Sequence, residues 1–291
     1  MNREALLKIL AEEPPRETTP VWRVVVAFII RDFKIWWTYK MWWTLEIFGI
    51  IFFISTYYLV SLIASDQMIY NAGYTTGGYF TFAAIGIAFQ HYVFSSIQGI
   101  IISIRDEQWM GTLETILSST TSFRVFLLGE SLFYFIIASL MLIGSLITGV
   151  LLGVQLQTSL LSLLSVAVLS VLLVASHLCI GILNAGIILK TKQGTPIAWA
   201  FSWMTQLVSG VFYPLGLLPP YLMWIGKLFP LTYSLDGIRL CLQGGETLAS
   251  LPVLMDVLSL IGFILISLPF SLYIFKLGYN AARKDGSLGQ Y

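Results

Sequence analysis

Residues 105–122 read RDEQWMGTLETILSSTTS, and four of these eighteen positions are charged. The flanking stretches, 78–103 and 124–152, are apolar almost throughout. A block this polar between two such runs belongs in water or against a partner, because an unpaired charge in an apolar medium is costly. Leu113, Ile116 and Leu117 recur at helical spacing on one face, with Glu114 and Ser118 off it. The pattern predicts a short amphipathic helix over about 105–119, lying at a membrane surface and placed to receive force from another protein.

Composition agrees with that setting. The chain has 291 residues, 57% hydrophobic and 11% charged, with a mean hydropathy of +0.83. Soluble domains carry ~25% charged residues, so this is an integral membrane protein. A net charge of +1 argues against nucleic acid as a partner. Cys179 and Cys241 are far apart and form no CxxC, which suggests neither a metal site nor a disulfide framework. Residues 1–20 are polar and proline-rich, lack the apolar run of a signal peptide, and read as a cytosolic tail.

Between 21 and 43 the chain mixes Arg23, Arg31, Lys34 and Lys40 with Trp22, Trp36, Trp37, Trp42 and Trp43. Each Arg or Lys at the centre of a spanning helix costs ~2.5–3.5 kcal/mol, whereas basic and aromatic side chains suit the headgroup zone. An interfacial amphipathic helix is expected there, strongest over 21–37. Six runs then approach the ~20 apolar residues that a crossing requires. They are 44–64, 78–103, 124–152, 160–189, 195–212 and 252–275. The fold class expected is therefore all-α, with a six-helix transmembrane domain over 44–276 and a tail over 277–291.

Lys and Arg set the orientation. With the N-terminus in the cytosol, fourteen of the sixteen basic residues lie inside, and only Lys227 and Arg239 lie outside. Both termini and the 105–122 block are then cytosolic. The connection 213–250 falls outside yet is mostly apolar, and Pro214, Pro219, Pro220 and Pro230 cut it into pieces too short to span. Short re-entrant helices capping the bundle are expected, since irregular backbone at membrane depth needs protein or a wet cavity against it.

Motifs of chemistry are missing. The chain has no GxxxxGK[ST], no HExxH and no GxSxG, so it holds no P-loop, zincin or hydrolase-elbow site. No catalytic residue, cofactor site or metal site is expected within it. His91 and His177 stand alone in the second and fourth runs; they read as interhelical hydrogen-bonding residues or as pathway residues. Tyr57 and Tyr92 belong to an aromatic set that reads either as bundle packing or as a pathway lining. Glu46, Glu130 and Asp256 sit near the ends of spans, where charge is cheap.

The run RDEQWMGTLETILSSTTSFRVFLLGE resembles the E-x-x-x-G-T-L-E-x-L-L signature of ABC-2-type transporter permeases. Glu107, Gly111, Thr112, Leu113, Glu114, Leu117 and Gly129 fall on its positions. Glu130 stands where Lys is common, and the usual Thr-Pro pair is replaced within Ser119-Thr120-Thr121. The stretch GVFYPLGLLPPYLMWIGKLFPLTYSLDGIR resembles the family's second signature through Pro214, Leu218, Pro219, Pro220, Pro230, Leu231, Thr232, Tyr233, Gly237 and Arg239. The resemblance covers roughly 20–291.

It implies an amphipathic helix before span one, a coupling helix between spans two and three, and re-entrant helices between spans five and six. It implies a permease that pairs with a second copy or a homologous permease and recruits two ABC ATP-binding subunits, which would bind ATP and Mg. ATPase coupling would then fall to Glu107, Gly111, Thr112, Leu113, Glu114 and Leu117. An outer gate would comprise Pro214, Pro219, Pro220, Pro230, Tyr233 and Arg239. Within a cell membrane, inner or plasma, the expected function is export of a hydrophobic or amphipathic compound such as a drug or lipid. Alternatives are export of a polysaccharide or lipid-linked glycan, a lipid-modifying enzyme, or a secondary transporter carrying protons on Glu46, Glu130 or Asp256.

Overall fold

The computed structural model describes residues 20–71, 73–74, 77–119, 121–191 and 195–284. Among these, every regular element is helical. In chain order they are α1 (Val21–Thr38), α2 (Lys40–Ser61), α3 (Gln67–Asn71), α4 (Gly78–Trp109), α5 (Leu113–Ser118), α6 (Phe123–Leu151), α7 (Leu160–Thr191) and α8 (Thr195–Val208). A 3₁₀ turn (Leu215–Leu217) follows, then α9 (Pro220–Gly226), α10 (Pro230–Gly244) and α11 (Leu251–Lys284).

Among the described residues, five helices are long and apolar enough to cross a membrane: Lys40–Ser61, Gly78–Trp109, Arg124–Leu151, Leu160–Ile188 and Leu251–Ala281. The expected sixth, over 195–212, is helical only to Val208. At 1.5 Å per residue, its fourteen residues reach ~21 Å, against a hydrocarbon core of ~30 Å. Helicity stops because Gly210 takes φ +76°, and the carbonyls of Gly210 and Val211 turn to the buried Arg239 guanidinium at 2.8 Å each.

Helix α4 is the hub. In its most apolar window 72% of residues are buried, against 11% in α2, which lies at the edge. It packs on α6, α7, α2 and α10, while α7 and α11 form the most extensive helix pair. That pair depends on two glycines. A Cβ at Gly278 would fall 1.9 Å from the Gly186 carbonyl oxygen, so the backbones touch where side chains would hold them apart. Leu169, Leu173, Leu231, Leu235 and Leu260 fill the main core between these helices.

Two expected boundaries move. The 21–43 segment is not one helix: Tyr39 leaves the helical region at φ −87°, ψ 63°, and 40–43 open α2. Trp36, Trp37 and Trp43 pack into that corner, with Trp37 and Trp43 stacked at 5.5 Å. The segment expected as one helix over 105–119 is also divided. Helix α4 runs on through 105–109, turns at Gly111 with φ +70°, and only Leu113–Ser118 forms a separate helix.

The proline-rich connection does break into short pieces. Pro219 and Pro220 stand at the N-cap and first position of α9, and Pro230 opens α10, where the missing N–H would lack a helical partner in any case.

Candidate functional site

The end of the bundle that carries 105–122 is held by one arginine. On α1, Val25, Phe28, Ile29, Asp32 and Trp36 share the face turned to the bundle, at helical spacing. Gly129 on α6 lets that face approach, since a Cβ there would sit 2.9 Å from Phe28 Cβ. Arg31 stands at the edge of this face, its guanidinium 5.0 Å from the Phe28 ring centroid. Its Nε is 2.7 Å from Asp32 Oδ1, its Nη1 2.7 Å from Glu107 Oε1, and its Nη2 2.7 Å from Glu130 Oε1.

A planar guanidinium with a fixed fork of donors can hold three carboxylates at once; an ammonium cannot do so in one plane. The carboxylate side chains are 5–10% exposed, and Arg31 itself 35%. Burial alone would lower the Arg31 pKa, but Asp32, Glu107 and Glu130 more than offset it, and the guanidinium stays charged. Three helices, α1, α4 and α6, therefore meet on one side chain.

The turn after α4 is built onto this clamp. The Gly111 N–H donates to the Gln108 carbonyl at 3.1 Å, and the Thr112 N–H donates to the Glu107 carbonyl at 2.9 Å. With Gly111 left-handed, this is a Schellman ending. The Thr112 hydroxyl also donates to the Glu107 carboxylate. Leu113 then turns inward, 3% exposed, among Ile100, Ile104, Phe126 and Ala185, with Ile116 packed against them.

The motif residues Glu107, Gly111, Thr112 and Leu113 thus form one folded unit, and Glu107 is not a free surface charge. The large apolar side chains exposed at the tip, among the described residues, are Trp109 (78%) and Met110 (59%). The side chains of Glu114 and Leu117 lie outside the described residues.

The other expected groups separate. Arg239 is 2% exposed; Nη1 donates to Gly210 O, Nη2 to Val211 O and Phe82 O, and its carbon Cζ lies 3.4 Å from the Phe82 ring centroid. Gly86 leaves room for this, as a Cβ there would meet Val211 O at 2.2 Å. Tyr233 OH donates to the Lys227 carbonyl at 2.9 Å. Pro214 begins the 3₁₀ turn. These residues brace the connection after α8.

The four candidate pathway residues stand in different surroundings. His91 lies 3.2 Å from Ser145 Oγ and lines a cleft of about 350 Å³ with Glu46 and Gln90. Tyr57 stacks on Phe212 at 5.1 Å. Tyr92 stacks on Phe135 at 5.2 Å, and its hydroxyl meets Ser139 at 2.9 Å. His177 is fully buried, with Nδ1 2.8 Å from the Leu173 carbonyl.

The clamp was hidden from sequence reading. Arg31 counts there as one basic residue among several, and Glu130 as a departure from Lys. The available signal was Asp32 on the apolar face of a basic helix.

The family model for the ABC-2 type transporter matches residues 21–242. The chain belongs to the ABC-2 type transporter family. The comparison with curated proteins finds no match. The ABC-2 region spans α1 through most of α10 and so contains the clamp, the Gly111 turn and the Arg239 brace; α11 lies beyond it. This ABC-2 chain is a multi-pass membrane protein and a transporter permease.

Proposed function

We propose that this ABC-2 permease is the membrane subunit of an ATP-driven exporter that moves a hydrophobic or amphipathic compound, a drug or a lipid, outward. The observation that supports this most is the Arg31 clamp. It joins the turn at the polar loop to two other helices through charge pairs that are mostly buried, so a displacement of the turn reaches α1 and α6 together. In this reading the loop faces the cytosol, as do both termini. Two ABC ATP-binding subunits, which carry ATP and Mg, press on the tip around Trp109, Met110 and α5.

Glu107, Gly111, Thr112 and Leu113 set the stiffness of that tip; Glu114 and Leu117 complete its surface. The chain works beside a second copy or a homologous permease, in a cell membrane. Helix α8, with the irregular segment after it, makes the sixth crossing, and the braced connection over 213–250 is re-entrant and gates release. The pathway uses His91, which opens to the cleft with Glu46, in preference to the enclosed His177 and Tyr92.

The experiment is purification of the chain from its native membranes, followed by vanadate-sensitive ATP hydrolysis by the recovered complex. Recovery of an ABC-type ATPase is the expected result. A chain that purifies alone, with no hydrolysis following it, overturns the reading.

A further inference from the structure

The cleft beside the clamp carries more negative charge than the clamp balances. It encloses about 550 Å³ between α1, the start of α2, the end of α4 and α6. Asp32, Asp106, Glu107 and Glu130 line it, with Arg31 the one cation among the described lining residues and Arg105 next to Asp106. Three of these carboxylates are buried, at 9%, 6% and 4% exposure for Asp32, Glu107 and Glu130. Three buried carboxylates against one guanidinium leave two negative charges in excess when all are ionised. Asp32 Oδ2 is buried and accepts no hydrogen bond. Asp32 Oδ1 is paired with Arg31, but one guanidinium offsets one charge, and the remaining buried negative charge calls for a further positive partner.

The rest of the lining says what kind of partner. Trp36, Tyr39, Trp42 and Trp109 line the same cleft, and the last three are more than 60% exposed, with the Arg105 guanidinium 5.8 Å from the Trp109 ring centroid. Aromatic faces beside carboxylates recognise organic cations, through ring quadrupole and charge together. An inorganic ion makes little use of those rings, and among the described residues no group of His, Cys, Asp and Glu is placed to hold a metal. The volume falls within the ~300–1,000 Å³ typical of pockets for drug-sized ligands.

We propose that this cleft binds a hydrophobic organic cation, its positive nitrogen toward Asp32 and its rings against Trp42 and Trp109. The cation reaches it from the loop side of the membrane and lies against Arg31 and Glu107, so occupancy bears directly on the turn at Gly111. That the cation is cargo rests on the transport function proposed above; the binding itself does not.

The test uses the purified full chain in nanodiscs of phosphatidylcholine, zwitterionic and without net charge, titrated with ethidium and followed by fluorescence anisotropy. Saturable binding is expected. Asp32→Asn should weaken it at least tenfold, and Trp109→Ala, at a position too exposed to disturb the core, at least threefold. An uncharged fluorophore of similar size should show no dependence on Asp32. Absence of saturable binding, as when Asp32 and Glu130 simply share a proton, overturns the proposal. So does an equal affinity in wild type, Asp32→Asn and Trp109→Ala. Should Asp32→Asn fail to fold, Trp109→Ala and the uncharged fluorophore still decide. No ATPase is present in this assay, so a failure here with an ATPase recovered from native membranes rejects the cation site alone.

Discussion

Arg31 joins three carboxylates with one planar side chain, and its removal leaves all three, Asp32, Glu107 and Glu130, buried without their cation. Breaking a buried ion pair by removing one partner costs ~3–5 kcal/mol. Arg31 is one-third exposed, so water recovers part of this, and about 2–3 kcal/mol is expected for Arg31→Met. The apparent melting temperature in detergent, read by scanning fluorimetry, should fall by several degrees. Replacing a whole buried charge cluster with neutral groups is often close to neutral. The triple variant Arg31→Met/Glu107→Gln/Glu130→Gln, which leaves Asp32 as the one carboxylate of the cluster, should therefore recover at least half of the loss. A triple variant no more stable than Arg31→Met would show that the arginine acts by packing and not by charge.

The helices of this chain are legible from their apolar runs because a spanning helix must satisfy its own backbone, and local composition records that requirement. Where they end is a different matter. The ending of α8 depends on Arg239, which lies 29 residues from Gly210, and no local pattern carries that pairing. The corner at Tyr39 depends on three tryptophan rings meeting, and the meeting of Arg31 with Glu130 spans 99 residues. The turn after α4 was legible in part: Gly111 within the motif is what a left-handed helix ending requires. Gly111→Ala should cost about 1 kcal/mol by forcing a Cβ into that conformation, although no atom lies within 4 Å of where it would stand. Between elements, Gly278→Ala should do more. Its Cβ would meet the Gly186 carbonyl oxygen at 1.9 Å, so α7 and α11 must part, at about 1–3 kcal/mol. Gly262 lies on the same helix in open space, and Gly262→Ala should not lower stability and should raise it by up to about 1 kcal/mol. Equal melting temperatures for the two alanine variants would mean that the α7–α11 crossing does not depend on close backbone contact.

On the scale of the whole molecule, the charge distribution and the clamp make a joint claim. Fourteen of sixteen basic residues are assigned to one side of the membrane, the side of the Arg31 cluster and of the exposed tip at Trp109 and Met110. In the proposed topology Gly216, in the connection between α8 and α10, falls on the other. The chain offers a clean background for testing this, because Cys179 and Cys241 are both free and buried and can be replaced by serine or alanine. Ser118 is exposed at the end of α5, and a Cβ at Gly216 would meet no atom within 4 Å, so a cysteine at either position should react without disturbing a core. With a membrane-impermeant maleimide on intact cells, Gly216→Cys should label at once, and Ser118→Cys only after permeabilisation. Labelling of Ser118→Cys in intact cells would place the clamp outside. An ATP-binding subunit could not then reach the loop, and the organic-cation cleft would open to the exterior, the side from which an importer collects its substrate.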